Sequence, residues 1–326
     1  MIRGWLPWFA LVGALGILLT GLLVKDPRPP KNNINLQPIF YPEPEARPGY
    51  TLSKVRIGKR NVAAYVLSKD GSELKPRPAV ILSHGGGITD VLEYARPQYK
   101  GEFFIPLFDH VPYRLADAGF LVVAIDNWWA GERFEPKHAE MAQAEPYRSI
   151  FRGWVQTRID VSSVIDVLVE RDDVDPDRIG VAGWSGGGII SLMAISLDDR
   201  VATIVAWKAA PDFITMFSAR GQGMLVSDAL INDEDFIEEL KQGDAIHHYE
   251  NIPPRPLALI GNLEDPAMPR VLAERFVELL KPYYRDHPER LRLSLHETPK
   301  PTHDLVREQL VEGCDWLIDI LSGENE

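Results

Sequence analysis

From about residue 50 onward, the apolar positions fall into short runs separated by longer stretches with a helical repeat. "TLSKVRIG" and "NVAAYVLS" predict a pair of N-terminal strands in antiparallel pairing. "PAVILSHGGG" (Pro78 to Gly87) and "FLVVAIDNWW" (Phe120 to Trp129) are near-continuous, β-branched apolar runs. That pattern suits strands covered on both faces. "RIGVAGWS", "VATIVAW", "PLALIGN" and "LRLSLHE" bring the series to about eight strands. Between them, in "TRIDVSSVIDVLVER", Val161, Val164, Ile165 and Leu168 share one face of a helix. Val306, Leu310, Cys314, Leu317 and Leu321 repeat the pattern near the C-terminus. Strands alternating with helices predict a mostly parallel central sheet flanked by helices. Ligands of such sheets bind at the carboxyl ends of the strands.

Two stretches are longer than simple connections, about 127–154 and 211–251, and predict cap insertions over those strand ends. The first carries Trp128, Trp129, Phe134, Tyr147, Phe151 and Trp154; the second carries Phe213, Met216, Phe217, Met224 and Leu225. Such side chains either line an apolar pocket or pack the cap onto the core. Trp128 and Trp129 directly follow a strand end, and Trp184 flanks a glycine turn, so these three are the candidate substrate contacts. Asp126, at the same strand end, is expected to bond loop backbone.

Ahead of residue 50 the pattern is different. Trp5 to Val24, "WLPWFALVGALGILLTGLLV", is uncharged and close to the roughly 20 apolar residues that cross a bilayer. It is longer than the apolar core of a cleaved signal and lacks a clear cleavage site. Residues 1–25 are therefore expected to be a transmembrane signal anchor, with secretion after cleavage as the alternative. Residues 26–49, "DPRPPKNNINLQPIFYPEPEARPG", form a proline-rich linker that cannot be a regular helix. Residues 50–326 form the folded domain, expected outside the cytoplasm.

Of the 326 residues, 45% are hydrophobic and 25% charged, which is globular composition. The net charge of −12 excludes a nucleic-acid partner as the expectation, because phosphate binding needs concentrated positive surface. A single cysteine, Cys314, rules out an intramolecular disulfide and a Cys-rich zinc site. Its place on a helix core face predicts a buried, inert thiol. No His, Cys and Asp cluster has metal-ligand spacing, so neither metal nor cofactor is expected.

The chemistry centres on Gly183-Trp184-Ser185-Gly186-Gly187, a G-x-S-x-G between a strand and a helix. A serine there holds a strained turn, and its neighbours two before and two after must be small. The hydroxyl needs a base. His303, between the last strand and the last helix, is the candidate, with His296 as its rival. The imidazole needs a carboxylate; Asp265 follows the strand "PLALIGN", and the neighbouring Glu264 is the alternative. Gly186 N–H and either Gly86 or Gly87 of "SHGGGITD" are the candidate oxyanion donors. His84 is expected to brace that loop. A phosphate-binding loop is disfavoured, since no Lys-Ser/Thr pair follows the glycines.

Together these residues resemble the α/β-hydrolase superfamily from about residue 50 to the C-terminus. "DVDPDRIGVAGWSGGG" is similar to the corresponding segment of dienelactone-hydrolase-like and prolyl-oligopeptidase-like enzymes. The resemblance implies an α/β-hydrolase fold and serine hydrolysis with the chain order Ser185, Asp265, His303. Dienelactone hydrolases proper carry cysteine where Ser185 stands, so their substrate is not carried over. Prolyl-oligopeptidase-type enzymes usually place a β-propeller ahead of this domain, and here an anchor and a linker precede it. The expected activity is cleavage of small carboxylic esters. The alternatives are a serine peptidase acting on short peptides and an inactive, membrane-displayed binding protein.

Overall fold

The apolar runs assemble into one eight-stranded sheet in the order β1-β2-β4-β3-β5-β6-β7-β8. The strands are β1 (Tyr50–Ile57), β2 (Val62–Lys69), β3 (Arg77–Ser83), β4 (Leu121–Ile125), β5 (Val174–Trp184), β6 (Thr203–Trp207), β7 (Leu257–Asn262) and β8 (Leu291–His296). The computed structural model describes residues 45–72, 76–86, 110–133, 135–219 and 232–323. By its contacts the chain divides into two units, Met1–Asn35 and Leu36–Glu326. The first unit lies outside the described residues, and with it the expected anchor and part of the expected linker. Among the described residues, no helix is long and apolar enough to cross a membrane.

β1 pairs with β2, and β2 with β4, in antiparallel register. From β4 to β8 every pairing is parallel. β3, β4 and β6 are buried along their whole length, as their unbroken apolar runs require. Successive side chains still alternate between the two faces. Ile81, Val123, Val181 and Ile204 enter one core cluster, which also holds Val161, Ile165 and Leu192 of the helices below. Val80, Leu82, Val122 and Val205 enter the other, with Leu310, Cys314 and Leu317. Fully burying one such aliphatic side chain stabilises the fold by about 1.5–3 kcal/mol.

The described helices are α1 (His110–Asp117), α2 (Pro136–Ala144), α3 (Pro146–Leu168), α4 (Gly186–Leu197), α5 (Phe213–Ala219), α6 (Glu234–Gly243), α7 (Arg270–Leu280) and α8 (Arg307–Ser322). Two boundaries differ from those expected. The helix predicted from Thr157 begins eleven residues earlier, at Pro146, because proline's fixed φ and missing donor suit a first helical position. The expected first cap insertion therefore comprises a short 3₁₀ turn, α2 and the opening turns of α3. α8 starts at Arg307, so Val306 caps it and Leu305 is the buried neighbour. Of the second expected insertion, α5 and α6 are described and residues 220–231 are not.

The parallel register aligns the strand ends. Ser83 stands opposite both Ile125 and Gly183. Trp184 stands opposite Trp207, Trp207 opposite Ile260, and Asn262 opposite His296. All the loops that carry candidate chemistry leave from this one edge.

Cys314 is fully buried in the second core cluster, and burial pushes its thiol up to about 12. The thiolate is the reactive form. Ellman's reagent should therefore leave the native protein unlabelled at pH 8 and titrate one thiol per chain in guanidinium; rapid native labelling would place the residue outside the core.

Candidate active site

At the end of β5 the chain reverses into α4 within a single residue. Ser185 makes that turn at φ 56° and ψ −116°, in a region that costs a non-glycine residue about 1–3 kcal/mol. Its N–H donates to the Trp207 carbonyl at 2.8 Å, which ties the turn to β6. Backbone surrounds it closely. A Cβ on Gly187 would lie 1.9 Å from the Ser83 carbonyl oxygen, and one on Gly183 would lie 2.4 Å from the Gly187 carbonyl carbon. A Cβ on Gly186 would lie 2.4 Å from the Gly86 carbonyl oxygen. Gly186 opens α4, so its N–H has no partner within the helix and sits at the positive end of the helix dipole.

Ser185 Oγ–H donates to His303 Nε2 at 2.9 Å. The other ring nitrogen, Nδ1–H, donates to Asp265 at 2.8 Å to Oδ2 and 3.0 Å to Oδ1. Asp265 is buried, and its Oδ1 also accepts from the N–H groups of Ala267 and Met268 at 2.8 and 2.9 Å. These bonds fix the carboxylate independently of the imidazole. With Nδ1 carrying the proton, Nε2 is left as the acceptor that the serine hydroxyl needs.

The turn that carries His303 is itself pinned. Thr302 N–H donates to the Glu264 carbonyl at 3.1 Å, and Asn262 Nδ2 donates to the Thr302 carbonyl at 2.8 Å. Gln309, fully buried at the start of α8, donates to both Asn262 Oδ1 and the Gly261 carbonyl, at 2.7 and 2.8 Å. Asn262 and Gln309 carry no motif that reveals this role; the one local hint is an amide ending an apolar strand.

The structure thus brings Ser185, His303 and Asp265 together. Glu264 is exposed and meets the site through its backbone carbonyl alone. His296, the last residue of β8, bonds Glu312 of α8 at 2.8 Å. His84 is buried and neutral: Asn127 N–H donates to its Nε2 at 3.0 Å and its Nδ1–H donates to the Gly85 carbonyl at 2.6 Å. Burial pushes its imidazole down to about 4. It clamps the end of β3 to the end of β4, and Asn127 Nδ2 returns a bond to the His84 carbonyl at 3.1 Å. Gly86 is described, at φ 114°; Gly87 lies outside the described residues.

The tryptophans divide. Trp184 stacks beside His303, with ring centroids 5.7 Å apart, and its ring covers Gly85. Trp128 is half-buried and lines a cavity of about 530 Å³ with Phe151, Val155 and Arg158. Ser185 does not line that cavity. Trp129 is buried over Gly153, where a Cβ would lie 1.5 Å from the indole. It therefore packs the cap onto the core and offers no free face to a substrate. Among the described residues, no group of His, Cys, Asp and Glu could hold a metal.

Known proteins resemble this chain in sequence and in fold. The family model described as "Prolyl oligopeptidase family" matches residues 106–310. A Bacillus subtilis (strain 168) protein named "Putative esterase YitV" is 27% identical over 213 residues, covering 64% of this chain and 81% of that one. Among solved structures, the acylaminoacyl peptidase of Pyrococcus horikoshii aligns at TM-score 0.59 and 16% identity, over 82% of this chain and 40% of that chain. Acetyl xylan esterase 1 from Thermoanaerobacterium sp. JW/SL YS485 aligns at 0.56 and 15%, over 84% and 89%.

The missing Cβ at Gly187 is the tightest demand of the turn. Gly187→Ala forces a methyl group onto backbone and should lose on the order of 3 kcal/mol, read as a lower midpoint in urea unfolding. An unchanged midpoint would show that the turn relaxes freely.

Proposed function

The chain belongs to the prolyl oligopeptidase family, and from that membership we propose a serine hydrolase that cleaves carboxylic esters through an acyl-enzyme. The observation that carries this reading is the continuous chain of bonds from Ser185 Oγ through His303 to Asp265. Ser185 Oγ attacks the substrate carbonyl carbon as its proton passes to His303 Nε2. The carbonyl electron pair moves onto oxygen, where Gly186 N–H and the N-terminus of α4 stabilise it, with a second donor from the Gly86–Gly87 loop. One such donor is worth about 3–4 kcal/mol of barrier. The tetrahedral adduct collapses, the C–O bond to the alcohol breaks, and His303 delivers its proton to the leaving oxygen. Water, deprotonated by His303, then attacks the acyl carbon and frees the acid and Ser185.

Two names support an ester over an amide: the YitV relative and the acetyl xylan esterase, whose chain this one nearly spans. The family's own description and the acylaminoacyl peptidase neighbour favour a second reading, cleavage of short peptides on the same machinery. Trp184, beside His303, is the candidate to contact the group on either side of the scissile bond. We further infer membrane attachment through the apolar run Trp5 to Val24, with the hydrolase domain outside the cytoplasm.

A fluorophosphonate probe should label the wild type and fail on Ser185→Ala, whose turnover falls by about 10⁶-fold. Asp265→Asn should lose about 10⁴-fold, whereas Glu264→Gln stays within a few-fold; the reverse ranking would move the carboxylate assignment. Turnover of p-nitrophenyl esters of rising chain length beside aminoacyl-nitroanilides decides between the two readings, and a dominant anilide rate would overturn the ester. Alkaline carbonate should leave the full chain in the membrane pellet and release a chain lacking residues 1–25; release of both would remove the anchor.

A further inference from the structure

Lys208 is the residue immediately after β6, and it is among the most deeply buried side chains in the protein. A buried ammonium is costly unless its charge and protons find partners. Among the described residues, Lys208 forms no carboxylate ion pair within contact distance; its Nζ donates to the backbone carbonyl of Asp304, the residue after His303. Its backbone is as constrained as its side chain. φ is +49°, unfavourable for a residue with a Cβ, and its N–H donates to the Ile260 carbonyl of β7 at 2.7 Å.

The preceding residue completes the arrangement. The Trp207 carbonyl accepts the Ser185 N–H at 2.8 Å, and Trp207 Nε1 donates to the Gln309 carbonyl at 2.8 Å. One dipeptide therefore holds both sides of the site. Trp207 fixes the backbone of the nucleophile, and Lys208 reaches across to the turn that presents the base. The carboxylates whose charge Lys208 feels are Asp265 and Asp304. Asp304 is tied to Thr302 Oγ1 at 3.0 Å, and Arg270, which lines a small cavity with Lys208, pairs with Glu274 at 3.6 Å.

Resting on the triad reading above, we propose that Lys208 is a positioning residue for His303. Its ammonium holds the His303 turn by the Asp304 carbonyl. A role confined to packing would be met as well by methionine as by glutamine, whereas holding the turn requires a side chain that donates to the Asp304 carbonyl.

The test measures the second-order rate of fluorophosphonate labelling against pH for wild type, Lys208→Gln and Lys208→Met, with folding checked by circular dichroism. Glutamine keeps a donor for the Asp304 carbonyl and drops the charge; methionine drops both. The plateau rate should fall about tenfold or more in Lys208→Met and less in Lys208→Gln. Folded variants that keep the wild-type plateau would overturn the proposal, while an unlabelled wild type would instead overturn the triad reading. If neither variant folds, the otherwise wild-type lysine decides. Burial lowers the Lys208 ammonium to about 8, and the Asp265 charge opposes that lowering. In protein carrying ¹³Cε-labelled lysine, Asp265→Asn should move this midpoint further down; an unmoved midpoint would sever Lys208 from the triad.

Discussion

The whole carboxyl edge of the sheet depends on one exclusion: where β5 turns into α4 there is no room for side chains. The carbonyl oxygens of Ser83, Gly86 and Gly187 occupy the positions that a Cβ on Gly187, Gly186 or Gly183 would take. Three glycines allow the strand end, the β3 loop and the helix start to close on one another. Ser185 is then left to absorb the change of direction in a strained conformation. The strain persists because the sheet over-determines it: the Trp207 carbonyl on one side and the helix on the other leave the serine no relaxed alternative. A hydroxyl raised in this way stands clear of its own backbone and faces whatever the later loops deliver.

Those loops deliver to the same place because parallel strands end together. Asp265 follows β7 by three residues, and its carboxylate is held by two N–H groups of its own turn. His303 comes from the connection between β8 and α8 and is held through its neighbours, Thr302 and Asp304. The serine, the acid and the base are therefore each held by hydrogen bonds to backbone groups at this one edge of the sheet.

What could be read from sequence follows the same physics. Strands such as "PAVILS" and "LVVAI" are legible because burial on both faces leaves no polar position to confuse the period. Ser185 and Asp265 are legible because each closely follows the end of an apolar run, and His303 because it lies in the connection between the last strand and the last helix. The start of α3 was not: "PYRSIFRGW" mixes arginines and aromatics, and its helical face is defined by packing on α6 and on Trp129. Trp129 misled for a related reason. A tryptophan after a strand end suits a pocket wall and a cap equally well, and Gly153, far along the chain, decides for the cap. Asn262, Gln309 and Lys208 are not legible as a set, since each donates to a backbone carbonyl, which every sequence contains.

The candidate site and the cap are therefore built from different materials here. The Ser185–His303–Asp265 arrangement rests on glycines, strand register and carbonyl contacts. The described cap rests on an aromatic cluster in which Phe151, Trp154, Phe213 and Phe236 meet edge to face across α3, α5 and α6. Such contacts are worth about 0.5–1.5 kcal/mol per pair beyond burial and can be repacked without moving the sheet. Family membership then speaks to the first material far more than to the second. The cap can be repacked while Ser185, His303 and Asp265 keep the same separation.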